Sequence, residues 1–177
     1  MRRIVPDITL LRQHLNSLNK EIYRYPFCPH CGMAGLWHHG CYYRKPVREN
    51  TTEEGITNPI PIPRFFCPNC KRTCSTLPEC IAPRRWYLWN IQQAALLLAI
   101  VGNSLAKIAK QLSLERHTVS RWIARCRDRF RLHYDALCNY FTELGTSGFA
   151  EFWQGCCDKM AFSRAMYLCN IAGIDIP

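Results

Sequence analysis

The sequence predicts an α+β fold, a small β-hairpin region followed by a mainly helical one, and three observations predict it. Two Cys-x-x-Cys motifs, at Cys28/Cys31 and Cys67/Cys70, bracket stretches rich in aromatic and β-branched residues. From residue 84 onward, apolar residues recur with helical spacing. Basic charge is concentrated in one short span of that helical part. Together they divide the chain of 177 residues into an N-terminal helix (1–22), a cysteine-bearing β-region (23–82), a helical domain (83–131) and a helical tail (132–177).

The first helix is read from Asp7, a capping residue, to about Lys20, with Ile8, Leu11, Leu15 and Leu18 on one stripe. His14 on that helix is expected at the surface. In the next region Cys28-Pro29-His30-Cys31-Gly32 and Cys67-Pro68-Asn69-Cys70-Lys71 repeat one chemistry: two thiols two residues apart on a tight turn. Two such turns can bring four thiolates to one tetrahedral Zn²⁺, each at about 2.3 Å. Leu36 to Arg44 and Ile60 to Phe66 read as strands, with the loop Glu49 to Asn58 between them. Knuckle, hairpin and knuckle make a zinc ribbon, with one structural zinc on Cys28, Cys31, Cys67 and Cys70. The 35 residues between the knuckles exceed the usual separation, and the loop accounts for the excess. A redox motif would be single and set in a βαβ pattern. His38, His39 and Cys41 lie on the first strand as conceivable substitute ligands, with alternation placing His38 opposite the other two. Cys74 and Cys80 are expected as small buried residues.

Arg84 to Val101 reads as a helix apolar on most sides, closed by Gly102-Asn103 in the manner of a C-cap. Trp86, Trp89, Ala94, Leu97 and Val101 would need cover. Ser104 can cap the next helix, whose Leu105, Ile108, Ala109 and Leu112 fall at i, i+3, i+4 and i+7. A break at Ser113-Leu114 precedes a further helix opened by Glu115, with Val119, Trp122 and Ile123 as its buried stripe. Arg116, His117, Thr118, Ser120, Arg121 and Arg125 are left on the other face. This is the pattern of a helix-turn-helix, in which the N-terminal residues of the second helix reach base edges in a DNA major groove. Lys107, Lys110, Arg84 and Arg85 are candidates for phosphate contacts, as are Arg44, Lys45, Arg64, Lys71 and Arg72 on the ribbon. The same periodicity also suits an ordinary helical hairpin with a solvated basic face.

Charge separates the two readings. The net charge is +10, and residues 104–131 carry eight Lys/Arg against two Asp/Glu, whereas residues 132–177 carry two against five. Density of this kind on the reading helix is the footprint of a polyanion partner.

The helix is expected to run on to about Leu144, with Arg127, Arg129 and Arg131 along it, and to end at Gly145-Thr146-Ser147-Gly148. Phe149 to Pro177 then reads as one more helix, rich in Phe152, Trp153, Phe162, Met166, Tyr167 and Leu168, for packing or dimerisation. Its Cys156, Cys157 and Cys169 show no paired spacing of metal ligands. No uninterrupted apolar stretch marks a signal peptide or membrane span, so the expected location is the reducing cytoplasm, at the nucleoid, where paired cysteines hold metal.

The run Phe65 to Pro78, FFCPNCKRTCSTLP, resembles the second half of the zinc ribbon in proteins of bacterial insertion sequences. The likeness is carried by Cys67, Cys70, Arg72, Thr73, Ser75, Leu77 and Pro78, with Cys74 in place of the usual aromatic. IAKQLSLERHTVSRWI is similar to transposase segments of the form IAxxLGxSxxTVxRW, with Ser113 where Gly is usual. The resemblance covers about residues 26–130 and implies recognition of transposon DNA, at its terminal repeats or at a promoter to be repressed.

No catalytic role is expected. A three-carboxylate transposase core needs acidic residues on an α/β scaffold holding metal ions, whereas Asp135, Glu143, Glu151, Asp158 and Asp175 fall on predicted helices. The expected partner is double-stranded DNA, with a homodimer plausible because one reading helix seldom supplies enough affinity. Two alternatives stand beside this. The chain could be a detached recognition subunit acting with a catalytic transposase in trans, or an adaptor whose ribbon and tail bind protein.

Overall fold

The computed structural model describes residues 4–5, 13–14, 23–45, 59–83, 87–140, 148–174 and 176. The fold is α+β: a small antiparallel sheet comes first, and six helices follow among the described residues. Contacts divide the chain into two compact units, Met1–Leu88 and Trp89–Pro177.

In the first unit the sheet runs β2 (Trp37–Arg44), β3 (Ile60–Phe66) and β4 (Thr73–Ser75), with β3 between antiparallel neighbours. The first two match the expected strands; the three-residue β4 was too short for a periodic signal. Pro61 and Pro63 sit within β3, where a missing N–H normally excludes proline from a central strand. Register explains this: β4 covers only Arg64–Phe66, so along Pro61 and Pro63 β2 is the one strand paired with β3 among the described residues. A further short pair, β1 (Ile4–Val5) parallel to β5 (Leu77–Pro78), lies outside this sheet. The expected loop over Glu49–Asn58 lies outside the described residues.

Each face of β3 has its own cluster. Phe65 packs with Tyr23, Tyr25, Leu36, Cys28 and Cys67 on one side. Ile60 and Ile62 pack with Leu77, Cys80 and Ile81 on the other. Most of the expected first helix lies outside the described residues, but His14 is described and corrects the reading. It is fully buried rather than on the surface. Its Nε2 stands 2.7 Å from the Pro61 carbonyl and its Nδ1 2.5 Å from the Tyr23 hydroxyl. A carbonyl only accepts, so Nε2 carries the hydrogen and Nδ1 accepts from the phenol.

The second unit begins with α1 (Trp89–Ile100), shorter than expected: Tyr87 and Leu88 are not helical, and Arg84, Arg85 and Trp86 lie outside the described residues. Its buried residues are Trp89, Gln92, Ala95 and Leu96, while Val101 is 76% exposed. The helix ends as its sequence suggests. Gly102 is left-handed, its N–H bonds the Ala99 carbonyl, and the Asn103 N–H bonds that of Leu98, the paired bonds of a Schellman cap.

Next come α2 (Leu105–Gln111) and α3 (Arg116–Asp128). Ser104 Oγ accepts the Lys107 N–H at 3.3 Å, an N-cap. Ser113 closes α2 in the left-handed region at φ 53, with Ser113 N–H on Lys110 O and Leu114 N–H on Ala109 O. This is the Gly102 cap again, built on a serine. The helices α1, α2 and α3 pack against one another.

The continuous helix expected to Leu144 is interrupted. Arg129 leaves helical geometry (φ −105, ψ 14), and α4 runs over Phe130–Cys138. The turn swings the Phe130 ring to within 5.5 Å of both Phe149 and Phe152. The tail likewise forms two helices, α5 (Phe149–Lys159) and α6 (Phe162–Ile171), rather than one. Met160 is extended between them, and the Phe162 N–H is capped by Gln93 Oε1 of α1 at 3.0 Å. Folding back buries both apolar faces, so that Phe152, Trp153, Phe162 and Met166 lie inside the unit.

Candidate metal centre and basic helix face

The two Cys-x-x-Cys turns are built alike, bond for bond. In the first, the Cys28 N–H donates to Met33 O and the Gly32 N–H returns to Cys28 O, both at 2.8 Å. In the second, Cys67 donates to Arg72 O at 2.9 Å and Lys71 to Cys67 O at 3.0 Å. The residue after the second cysteine is left-handed in each, Gly32 at φ 73 and Lys71 at φ 59. Flanking residues pair across each turn, Phe27 with Ala34 and Phe66 with Thr73. Glycine adopts that conformation without penalty, whereas lysine takes it under strain.

These turns bring together the four predicted ligands. The Sγ atoms of Cys28, Cys31, Cys67 and Cys70 all lie within 4.8 Å of one another, a set that could hold a metal ion. Sulfurs from opposite turns approach closely, Cys28 to Cys70 and Cys31 to Cys67, each at 3.7 Å. Backbone and side-chain donors favour thiolate: the His30 N–H lies 3.4 Å from Cys28 Sγ, and Asn69 Nδ2 lies 3.5 Å from Cys31 Sγ. The Asn69 amide, with help from the Met33 backbone, lowers the Cys31 thiol to about 6. The last proton is harder to lose, and desolvation pushes Cys70 up to about 12. Four sulfurs this close need a cation before all can be thiolates.

None of the other described candidate ligands joins this set, although Cys74 packs against the cluster that holds Cys28 and Cys67. A register shift between His38 and Cys41, with Gly40 at φ 69, breaks the alternation expected of that strand. His38 packs edge-on to Phe65 and His39 tilts against Phe66. Cys80 is buried and Cys74 half-buried, and burial raises them to about 12 and about 11. Cys156 and Cys169 are fully buried and Cys157 half-buried; burial raises each to about 12. Among the described residues the four-cysteine group is the one set that meets ligand spacing.

On α3, Val119, Trp122, Ile123 and Cys126 are buried, as the stripe implied. Arg116, His117 and Arg121 are exposed, and Thr118, Ser120 and Arg125 are half-buried along the flanks. Lys107 and Lys110 project exposed from α2. Arg84 and Arg85 fall outside the described residues. Arg121 Nη2 donates to Thr118 Oγ1 at 3.4 Å. Among the described residues, no salt bridge neutralises Arg116, Arg121, Arg125, Lys107 or Lys110. By contrast Arg131 pairs with Asp135 at 3.2 Å, and Arg127 lies over the Phe149 ring.

Two residues of this face went unnoticed in the sequence. Ala124 and Asp128 are exposed and continue the row His117, Arg121 at i+7 and i+11 from His117. Helical phase alone could have found them. The small Ala124 leaves Arg121 unobstructed, and Asp128 sets an acidic limit to the basic surface.

A family model with the description Domain of unknown function (DUF6431) matches residues 28–122. The match opens on the first cysteine of the centre and ends at Trp122 in the buried stripe of α3. No curated protein and no solved structure matches the chain.

Proposed function

The chain belongs to the DUF6431 family, and we propose that it is a sequence-specific double-stranded-DNA-binding protein, with a helix-turn-helix formed by α2 and α3 and, in its first unit, a structural zinc ribbon. The observation that carries this reading is the α3 face: Arg116, His117 and Arg121 lie exposed on a helix whose opposite side is anchored by Val119 and Trp122. Anchored so, the helix can offer its N-terminal half to a major groove as a rigid element. The unneutralised Lys107 and Lys110 would hold phosphate.

Zinc suits the centre on geometry. A tetrahedron with Zn–S bonds of about 2.3 Å has S–S edges of about 3.8 Å, close to the 3.7 Å between Cys28 and Cys70. Four thiolates leave no position for water, which favours a structural ion over a catalytic one. The described carboxylates of the C-terminal part, Asp135, Glu151 and Asp158, stand exposed on α4 and α5, which favours binding rather than catalysis. No helix among the described residues is long and apolar enough to cross a membrane. The likeness to insertion-sequence proteins extends the proposal to transposon DNA, through repression or in company with a catalytic transposase, at the nucleoid of the cytoplasm. A two-fold homodimer would double the reading surface.

Selection of bound duplexes from a random pool tests the reading. Recovery of one motif, lost when Arg121→Ala is used in place of the native chain, is the expected result. A pool that returns no motif at moderate salt would sink the proposal. Loss of the Arg121 base contact is expected to cost about 1–3 kcal/mol and to relax specificity at one position.

A further inference from the structure

One face of the three-stranded sheet carries aromatic rings that neither hydrophobic cluster uses. Trp37 and Phe66 are register partners, their ring centroids 6.5 Å apart. The His39 ring lies 5.7 Å from the same Phe66 ring. Trp37 is 60% exposed and His39 exposed. On the opposite face, at the same level, Phe65 is fully packed, so the fold fills one side and leaves the other as a small platform of contiguous rings. Such rings offer their faces to a partner.

The surroundings give the partner's charge. Arg64 lies two residues back along β3 and over the Tyr42 ring at 5.4 Å. Lys71 and Arg72, both exposed, lead into Thr73, the residue paired with Phe66 on β4. The described residues between Tyr23 and Pro78 contain six Lys/Arg and no Asp or Glu. Flat rings near Arg64, Lys71 and Arg72, with no carboxylate among the described residues of this stretch, suit a polyanion that carries flat rings of its own. In a duplex those ring faces are spent on each other, and only an unstacked strand can present them.

We infer that this face is a binding site for single-stranded DNA, with bases stacked on Trp37 and Phe66 and phosphates held by Arg64, Lys71 and Arg72. The site shares no residue with the α3 duplex surface; only the choice of DNA over RNA rests on the duplex reading. A protein that grips a duplex can then also hold a strand opened from it.

The test compares a labelled oligothymidylate with an abasic strand of equal length, by fluorescence anisotropy on the zinc-loaded full chain. Stacking makes the base-bearing strand bind about tenfold tighter. Trp37→Ala is expected to abolish that difference, and Trp37→Phe, which keeps a ring, to retain most of it. Duplex binding should be unchanged by Trp37→Ala, while Arg121→Ala should do the reverse. Equal affinity for the two strands overturns the inference. So does a Trp37→Ala chain that keeps its zinc and still prefers the base-bearing strand, or tighter binding of the matching ribo-oligomer. Because single-strand affinity is read without any duplex, failure of the α3 reading leaves this result intact, and the converse holds.

Discussion

Among the described residues between Tyr23 and Ile81, buried apolar side chains form two small clusters, of six and five residues, one of them containing Cys28 and Cys67. Beyond Trp89 the rings of Trp89, Phe162, Trp153 and Phe152 run in a connected series with centroids 5.3–5.8 Å apart. Among their described residues, the first unit thus has small apolar clusters beside a ready set of metal ligands, and the second has an aromatic core and no comparable ligand set. Small domains with thin cores need a staple. The difference teaches that one chain can rest its two halves on different physics, and that metal removal should separate them.

That separation is the largest expected effect. Apparent binding energies of structural zinc are on the order of 10 kcal/mol, more than a small unit holds in reserve. Chelation, or Cys67→Ser, is expected to unfold the first unit while the second stays helical. Limited proteolysis reads this directly, with cuts confined to residues before Trp89. Uniform cleavage along the chain would show that the two halves share one fate, and the comparison would break.

The converse experiment strikes the aromatic core. Trp153 is fully buried among His133, Phe152 and Phe162. Trp153→Ala is expected to destabilise the second unit by about 3–5 kcal/mol. The metal should remain in place, as a chromophoric chelator competition would show. Release of metal in parallel with loss of helix would contradict the independence of the halves.

Acid provides a gentler probe of the same core. His133 is fully buried, neither ring nitrogen has a hydrogen-bond partner among the described residues, and burial, with Arg129 nearby, lowers it to about 4. Its ordinary value of about 6.5 applies in the unfolded chain, so between these values the unfolded state binds more protons than the folded one. Stability is therefore full above about pH 6.5 and falls as pH drops toward 4, by up to about 3 kcal/mol. Melting curves of the second unit across that range should show the slope, and His133→Phe should flatten it. A slope that survives the substitution would assign it to another group.

What could be read from the sequence was local. Strands Trp37–Arg44 and Ile60–Phe66, the Ser104 cap, the Gly102 stop and the Val119–Trp122–Ile123 stripe each depend on residues within a turn or two. The four-cysteine cluster was legible although its halves are 35 residues apart, because each Cys-x-x-Cys turn announces itself and four thiols have few other uses. What could not be read depends on distant partners. His14 is buried by Pro61 and Tyr23. The break before Phe162 exists because Gln93, 69 residues earlier, satisfies its N–H. The turn at Arg129 serves contacts of Phe130 with α5. Helical periodicity continues through both breaks and gives no warning of either.

The smallest expected effect concerns the turn that aims α3. Ser113 holds a left-handed conformation with the bonds of a Schellman cap. A side chain there costs roughly 1–2 kcal/mol relative to the right-handed region. Glycine would remove that strain but adds about 0.5–1 kcal/mol of unfolded-state entropy. The balance favours Ser113→Gly by about 0.5–1 kcal/mol, a few degrees in the melting temperature of the second unit. Ser113→Val should move the other way and by more, since a β-branched residue fits φ 53 poorly. The pair sharpens the contrast between the halves, because neither substitution should alter zinc retention in the first unit. If Ser113→Gly lowers the melting temperature instead, the serine side chain contributes something at this turn that its backbone geometry does not reveal.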